Sequence, residues 1–306
     1  MDQAQGRVVV IGDALIDELR TPDGSDDHVG GAGLNVAVGL ARLGVPTVLL
    51  ASVGDDADGR SIRAFLAEHG VELAATVNPL GTGRAVSERV DGEPTYAFSD
   101  AAVGRGLDFS DEQRAALAVA PLVAVSSYPF DDARLTERLL AEVGAEPPRL
   151  VVDPNPRPGF LRDAAAFAEG FARAAAVSLL VKIGEDDAAL VAGTSLEGWQ
   201  EALLAAGAGG VLATRGSAGA ELQLAGGEVL HRDIAVADGP VVDTMGAGDA
   251  TFASIVASLL AGSAGSGPTG ASAPVPTDWE AALTDAMRVA AATVRAPGAL
   301  LRRPAG

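Results

Sequence analysis

A chain of 306 residues, 48% hydrophobic and 21% charged, can bury one large α/β core or two smaller ones, and its formal charge of −19 repels nucleic acid and anionic membranes. The lack of cysteine excludes disulfides, thiolate metal sites and cysteine nucleophiles, while His28, His69 and His231 lie too far apart for a helical metal-binding pair. The opening MDQAQGRVVVIGD lacks a basic-then-apolar leader and no window approaches a membrane span, so the expected compartment is the cytoplasm.

Residues 8–11 are a Val-rich run that predicts a strand buried on both faces. Residues 13–29 alternate polar and apolar positions, which predicts extended chain where a crossover helix would otherwise stand. A helix over 35–43, a strand over 48–52 and a helix over 59–69 follow. Residues 83–99, GRAVSERVDGEPTYAFS, break the rhythm: alternating apolar positions flank Asp91-Gly92, a two-residue hairpin signal. Together with 13–29 this hairpin predicts a small sheet beside the main one, placed to cover a site. Strands over 122–126, 150–152, 177–181 and 211–214 then alternate with helices over 133–143, 161–175 and 196–206. Helices over 247–261 and 278–295 bracket residues 262–277, whose Gly/Ser/Pro/Ala composition reads as a flexible surface loop. The expectation is one domain, 1–306: an α/β doubly wound, mostly parallel sheet with helices on both faces and a small β lid.

The stretch 243–252, DTMGAGDATF, carries the most chemistry. Gly246 and Gly248 permit a tight turn in which the N–H groups of Gly246, Ala247 and Gly248 converge on an anion at a helix N-terminus. Asp249 would compete with that anion unless it acts on a neighbouring hydroxyl, which makes it a general-base candidate; an acid that merely favours the helix dipole is the alternative. GAGDAT lacks the third glycine of a dinucleotide fingerprint, and no P-loop pattern is present.

DTMGAGD resembles the C-terminal signature of the PfkB, or ribokinase-like, carbohydrate kinases. GGAGLNVAVGLARLG at 30–44 resembles their N-terminal signature, and VGDD at 53–56, DPNPRP at 153–158 and TRGSAG at 214–219 fall in the family's order across nearly the whole chain. The resemblance implies a ribokinase-like fold and ATP-dependent phosphoryl transfer to a sugar hydroxyl. GDALID and DPNPRP favour the fructokinase-like branch, with 2-keto-3-deoxygluconate, ribose or nucleoside kinases as alternatives on the same fold and a sugar-sensing pseudokinase as the non-enzymatic one. It also implies ATP and Mg²⁺ as cofactors, a monovalent cation as a further candidate, and a homodimer formed through the lid.

Carried over residue by residue, the resemblance makes Asp249 the base and Gly246, Ala247 and Gly248 the anion hole. Asp17, and less strongly Asp13, would grip sugar hydroxyls together with Asn35, with Gly31 letting the substrate approach the backbone; solvated acids and an N-cap are the competing readings. Tyr96 and Phe98 would form an apolar wall or a small core under the lid. Lys182, Thr214, Gly216 and Gly219 would contact the nucleotide, although TRGSAG also suits an ordinary turn between strands. Asp187 and Glu185 are the magnesium candidates, because Gly184 and Asp187 stand where relatives often carry Asn-x-x-Glu. Gly33 stands where many fructokinases have proline. Arg84 reads as solvated, and Arg84, Arg89 and Arg105 are too few to favour a sugar-phosphate acceptor.

Overall fold

The structure, a computed structural model, describes residues 6–21, 24–90, 93–144, 149–263 and 278–304. Strand β1 (Val8–Gly12) lies inside a nine-stranded sheet, and the chain leaves it through β2 (Leu15–Thr21) and β3 (Gly24–Gly30) before helix α1 (Ala32–Arg42). Strand β4 (Thr47–Val53), α2 (Ala57–Glu68) and β5 (Glu72–Val77) extend the sheet to one edge. Then come β6 (Arg84–Val90), β7 (Glu93–Phe98), α3 (Asp100–Val103), α4 (Asp111–Val119), β8 (Val123–Ser126), α5 (Ala133–Val143) and β9 (Leu150–Asp153). After α6 (Ala164–Ala175), β10 (Ser178–Gly184) runs into α7 (Glu185–Asp187) and a π-helical turn at Ala188–Ala192. The rest is α8 (Leu196–Ala206), β11 (Gly210–Thr214), β12 (Ala220–Leu224), β13 (Val229–Arg232), α9 (Ala247–Ser263) and α10 (Trp279–Thr293).

The sheet order is β13-β12-β11-β10-β9-β8-β1-β4-β5, parallel from β5 to β11, with β12 and β13 antiparallel at one edge. Strand periodicity sorts the core. Val8 and Val10 face the cluster that holds Leu34 of α1, Val256 of α9 and Leu283 of α10, while Val9 and Ile11 face Leu139 of α5, Phe171 of α6 and Leu203 of α8. The chain moves outward from β1 to β5 and then restarts at β8, so the crevice between β1 and β8 is the topological switch point where α/β sheets bind ligands.

The doubly wound sheet with helices on both faces is as expected, and α5 and α8 fall at the expected residues. Helix α6 begins three residues later than expected, because the Asp163 carboxylate accepts hydrogen bonds from the Ala165 and Ala166 amides and caps it there. Strands β5, β12 and β13 and helices α3 and α4 were not anticipated: they are edge or surface elements whose polar residues hide the periodic signal.

The second sheet, the one expected to act as a lid, runs β3-β2-β6-β7, with β2 and β6 parallel and in register at Ile16↔Arg84, so segments 13–29 and 83–99 do join in one small sheet. The Asp91-Gly92 turn lies outside the described residues, as do residues 264–277 of the Gly/Ser/Pro loop. Leu15, Ala85, Ala102 and Phe160 pack beneath the lid with Phe98, whose ring centroid is 4.0 Å from that of Phe160. Arg84 is not simply solvated: it pairs with Asp58 of α2 at 2.7 Å, with Asp27 of β3 at 2.7 Å and with Glu18 of β2 at 3.1 Å, strapping the lid to the main body. Asp56, at the N-cap of α2, accepts hydrogen bonds from the Gly59 amide and from the Thr82 amide and hydroxyl, which fixes the residues entering β6. Among the described residues no helix is long and apolar enough to cross a membrane.

Candidate active site

A cavity of about 320 Å³ opens at the carboxyl ends of the strands, with Asp153, Asn155, Lys182, Asp187, Thr214 and Asp249 in its walls. The start of α9 forms part of its wall. Gly246 has φ 73°, and a Cβ there would collide with the Ala299 carbonyl, so only glycine can make this turn. The Asp243 carboxylate holds the turn by accepting hydrogen bonds from the Met245 amide at 2.9 Å and the Gly298 amide at 3.1 Å. Gly246 precedes and Ala247 and Gly248 open a 17-residue helix; the Ala247 amide donates to the Thr244 carbonyl at 3.4 Å, while Gly246 and Gly248 line the cavity at the helix N-terminus.

Asp249 sits on that turn, 8% exposed. Asn35 of α1 donates to its Oδ2 at 2.9 Å and Asn155, two residues beyond β9, donates to its Oδ1 at 3.4 Å. Burial pushes its carboxyl up to about 7; the Asn35 hydrogen bond opposes that rise, the Asp153 charge reinforces it, and Lys182 and Arg157 oppose it. The result is a carboxylate poised to accept a proton near neutrality, next to backbone donors that suit a polyanion.

Lys182 is the only lysine among the 22 cationic residues of the chain. Its ammonium is buried and donates to Asp153 Oδ2 at 2.8 Å, and a Cβ on Gly248 would lie 3.3 Å from Nζ, so the glycine leaves the ammonium its room. Burial works against its charge, but Asp153 and Asp187 more than compensate and raise its pKa. Asp187 and Glu185 line the same wall. The Asp187 carboxylate accepts the Gly184 amide at 2.8 Å, and its carboxyl rises to about 6, through burial first, with Lys182 opposing. Asp153 Oδ1 is buried without a protein partner.

Beyond β1, Asp13 is buried and committed to the protein: Oδ1 accepts from the Gly33 amide at 2.9 Å and Oδ2 from the Ser127 hydroxyl at 3.3 Å. Proline at 33 would have no N–H for the first bond, which gives the departure from the fructokinase pattern a structural reason. Gly31, at φ 111°, is the N-cap of α1 and lies against the Asp13 backbone. Asp17 lies on β2 over Gly30 and stays exposed; desolvation, and then the Asp13 charge, raise its carboxyl to about 6, with His28 and Arg157 opposing. Phe98 belongs to the small core under the lid, and the Tyr96 side chain lies outside the described residues.

At the end of β11, Thr214 and Gly216 line the cavity, and the Thr214 hydroxyl donates to the Ile183 carbonyl at 3.2 Å. Gly219 does not line it: at φ 90° it closes the turn into β12, its carbonyl accepting the Arg215 amide at 2.9 Å. Asp153, Asn155 and Arg157 were given no role by the sequence, although DPNPRP was recognised as a motif; a polar run directly after a buried parallel strand was the available signal.

The profile of the pfkB family carbohydrate kinases matches residues 5–305. A fructokinase of Rhizobium leguminosarum bv. trifolii is 32% identical over 272 residues, covering 82% of this chain and 79% of its own length. A fructokinase of Klebsiella pneumoniae is 31% identical, covering 84% and 85%. Among solved structures, a fructokinase with bound ATP from Xylella fastidiosa superposes with a TM-score of 0.79 at 21% identity, covering 96% of this chain and 94% of its own. The chain therefore belongs to the pfkB family of carbohydrate kinases, phosphotransferases that act on a sugar hydroxyl.

Proposed function

We propose that this enzyme transfers the γ-phosphate of ATP to a hydroxyl of fructose or a closely similar sugar, with Asp249 as the general base. The observation that carries the reading is the placement of Asp249: a buried carboxyl lifted to about 7, at the glycine turn that opens α9, in the wall of the cavity. Its ionised form accepts the proton of the attacking hydroxyl, the Gly246–Gly248 amides receive charge developing on the phosphoryl oxygens, and Lys182 adds a fixed positive charge beside them. Asp17 and Asn35 are assigned to the sugar hydroxyls. Asp13 acts behind them by holding the start of α1, and thereby Asn35, in place.

The donor set suits magnesium delivered with the nucleotide. Among the described residues there is no group of three or more acidic or imidazole ligands, so Asp187 and Glu185 would hold the ion largely through water and phosphate oxygens. When bound, magnesium would neutralise the polyphosphate charge that three carboxylates around one lysine otherwise repel. The lid would close over the sugar, and its outer face is the proposed homodimer surface.

A second reading follows from Arg157, a cation on the cavity wall within electrostatic reach of Asp17 and Asp249. It suits an acceptor that carries a carboxylate, such as 2-keto-3-deoxygluconate. Nucleotide consumption measured against fructose, ribose, 2-keto-3-deoxygluconate and nucleosides decides between them. Fructose with the highest kcat/KM supports the first reading, and a carboxylated sugar with the highest value replaces it.

A further inference from the structure

We infer that Asn155 is a positioning residue for the base: its amide holds the Asp249 carboxylate in the orientation from which it takes the acceptor proton. The inference rests on the reading of Asp249 as the base.

Three observations carry it. Asn155 is 8% exposed, and its Nδ2 faces Asp249 Oδ1 at 3.4 Å while Asn35 holds Oδ2. The two amides therefore address different oxygens of one carboxylate, from two elements that approach it on different sides. Asn155 also takes φ 40°, a left-handed conformation, between Pro154 and Pro156. Asparagine tolerates that conformation better than most residues, but the following Pro156 favours extended backbone at Asn155, so the positive φ is held by the surrounding structure. Backbone cost of this kind persists where surrounding structure enforces it and a side chain must be aimed. Finally, Asn35 carries two assignments: one N–H is given to Asp249 Oδ2, and the other N–H and the carbonyl oxygen are left for a sugar hydroxyl. Asn155 is the partner assigned to the base alone. Its 3.4 Å separation is long for a hydrogen bond and has room to tighten when the acceptor fills the site.

The charged groups facing Asp249 are Asp153 at the end of β9, Lys182 on β10 and Arg157 beyond β9. None of them needs to move for the effect of Asn155 to be read. Asn155→Gly keeps the positive φ and removes the donor. The expected result is a kcat lower by about tenfold or more, the scale of a lost hydrogen bond to a charged group, with sugar KM within about threefold of the parent. Asn155→Asp tolerates the same backbone and replaces the donor with a second carboxylate, so the acid limb of the kcat profile should move to higher pH.

The proposal is tested by steady-state kinetics of both variants across pH with the best acceptor, alongside Asp249→Asn and with thermal unfolding as a check on folding. A lowered kcat with a displaced acid limb supports it. A raised sugar KM with kcat and the limb unmoved makes Asn155 a sugar contact and overturns it, as does parent-like behaviour of both variants. If Asp249→Asn keeps near-normal kcat, the base reading itself falls; if Asp249→Asn is inactive and the Asn155 variants are normal, only the present inference falls. If Asn155→Gly does not fold, the pH limb of Asn155→Asp decides alone.

Discussion

The N-termini of α2 and α9 are both glycine-and-aspartate turns, yet they treat the carboxylate in opposite ways. At α2, burial alone would raise the Asp56 carboxyl, but the Thr82 hydroxyl and the Gly59 and Thr82 amides more than offset this and hold it below the usual carboxylate range. At α9, Asp249 is buried deeper and faces Asp153, and two side-chain amides do not compensate, so it rises to about 7. Backbone and hydroxyl donors converging on an acid make it a structural clamp. Burial with fewer donors beside another acid leaves it basic enough to do chemistry.

The strongest way to break this contrast is Asp249→Asn. Turnover should fall by about a thousandfold, within the range general-base catalysis supplies, while ATP still binds in an equilibrium titration. Its stability should move the other way. Between pH 4 and 7 the unfolded aspartate is ionised while the folded one keeps its proton, so the folded state binds more protons and stability declines as pH rises through that window. The shift from 3.8 to about 7 corresponds to at most about 4 kcal/mol, so the Asn variant should melt higher than the parent at pH 7.5, as read by calorimetry.

Lys182→Arg comes next. It keeps the charge, but a planar guanidinium does not fit the space that Gly248 leaves for a compact ammonium, so kcat should drop by about tenfold or more although the formal charge is unchanged. Asp17→Ala should raise sugar KM by about tenfold with ATP KM unmoved, since a charged hydrogen bond is worth roughly 1.5–3 kcal/mol. Asp13→Ala should raise KM less and lower the melting temperature more, because its oxygens serve Gly33 and Ser127. A larger KM effect at Asp13 would mean that Asp13, not Asp17, faces the sugar, and equal effects would remove the distinction drawn between them.

The pH profile sharpens the same contrast without a mutation: kcat/KM should rise with pH through about 7 as Asp249 ionises and then level off. The smallest effect on activity belongs to Asp56→Ala, which should cost about 1–2 kcal/mol of stability in denaturant unfolding and leave kcat near the parent value. The stability that Asp56 contributes is present above its unfolded pKa and is lost as pH falls through its lower folded one.

The sheet and its helices were readable because the buried parallel strands are continuous apolar runs and the helices keep their period. β12 and β13 were not, since AELQL and VLHR carry polar residues at an edge. In the site, the glycine turn and Asp249 stand in one contiguous motif. The bond between Asn35 and Asp249 joins residues 214 positions apart, and no local pattern shows that a residue expected at the sugar also touches the base. Lys182 lines the cavity, but its partner Asp153 lies on the neighbouring strand, and only strand order reveals that pair.

The tight fit of Gly246 against the Ala299 carbonyl has a consequence for how the enzyme comes into being. The glycine turn before α9 is braced by residues 294–298, through the Val294 carbonyl on the Val242 and Asp243 amides and the Gly298 amide on Asp243. During synthesis residues 13–99 emerge from the ribosome first, and the glycine turn gains its brace only after residue 299 has followed. The turn that carries the proposed base therefore reaches its final form only once nearly all of these 306 residues have been made.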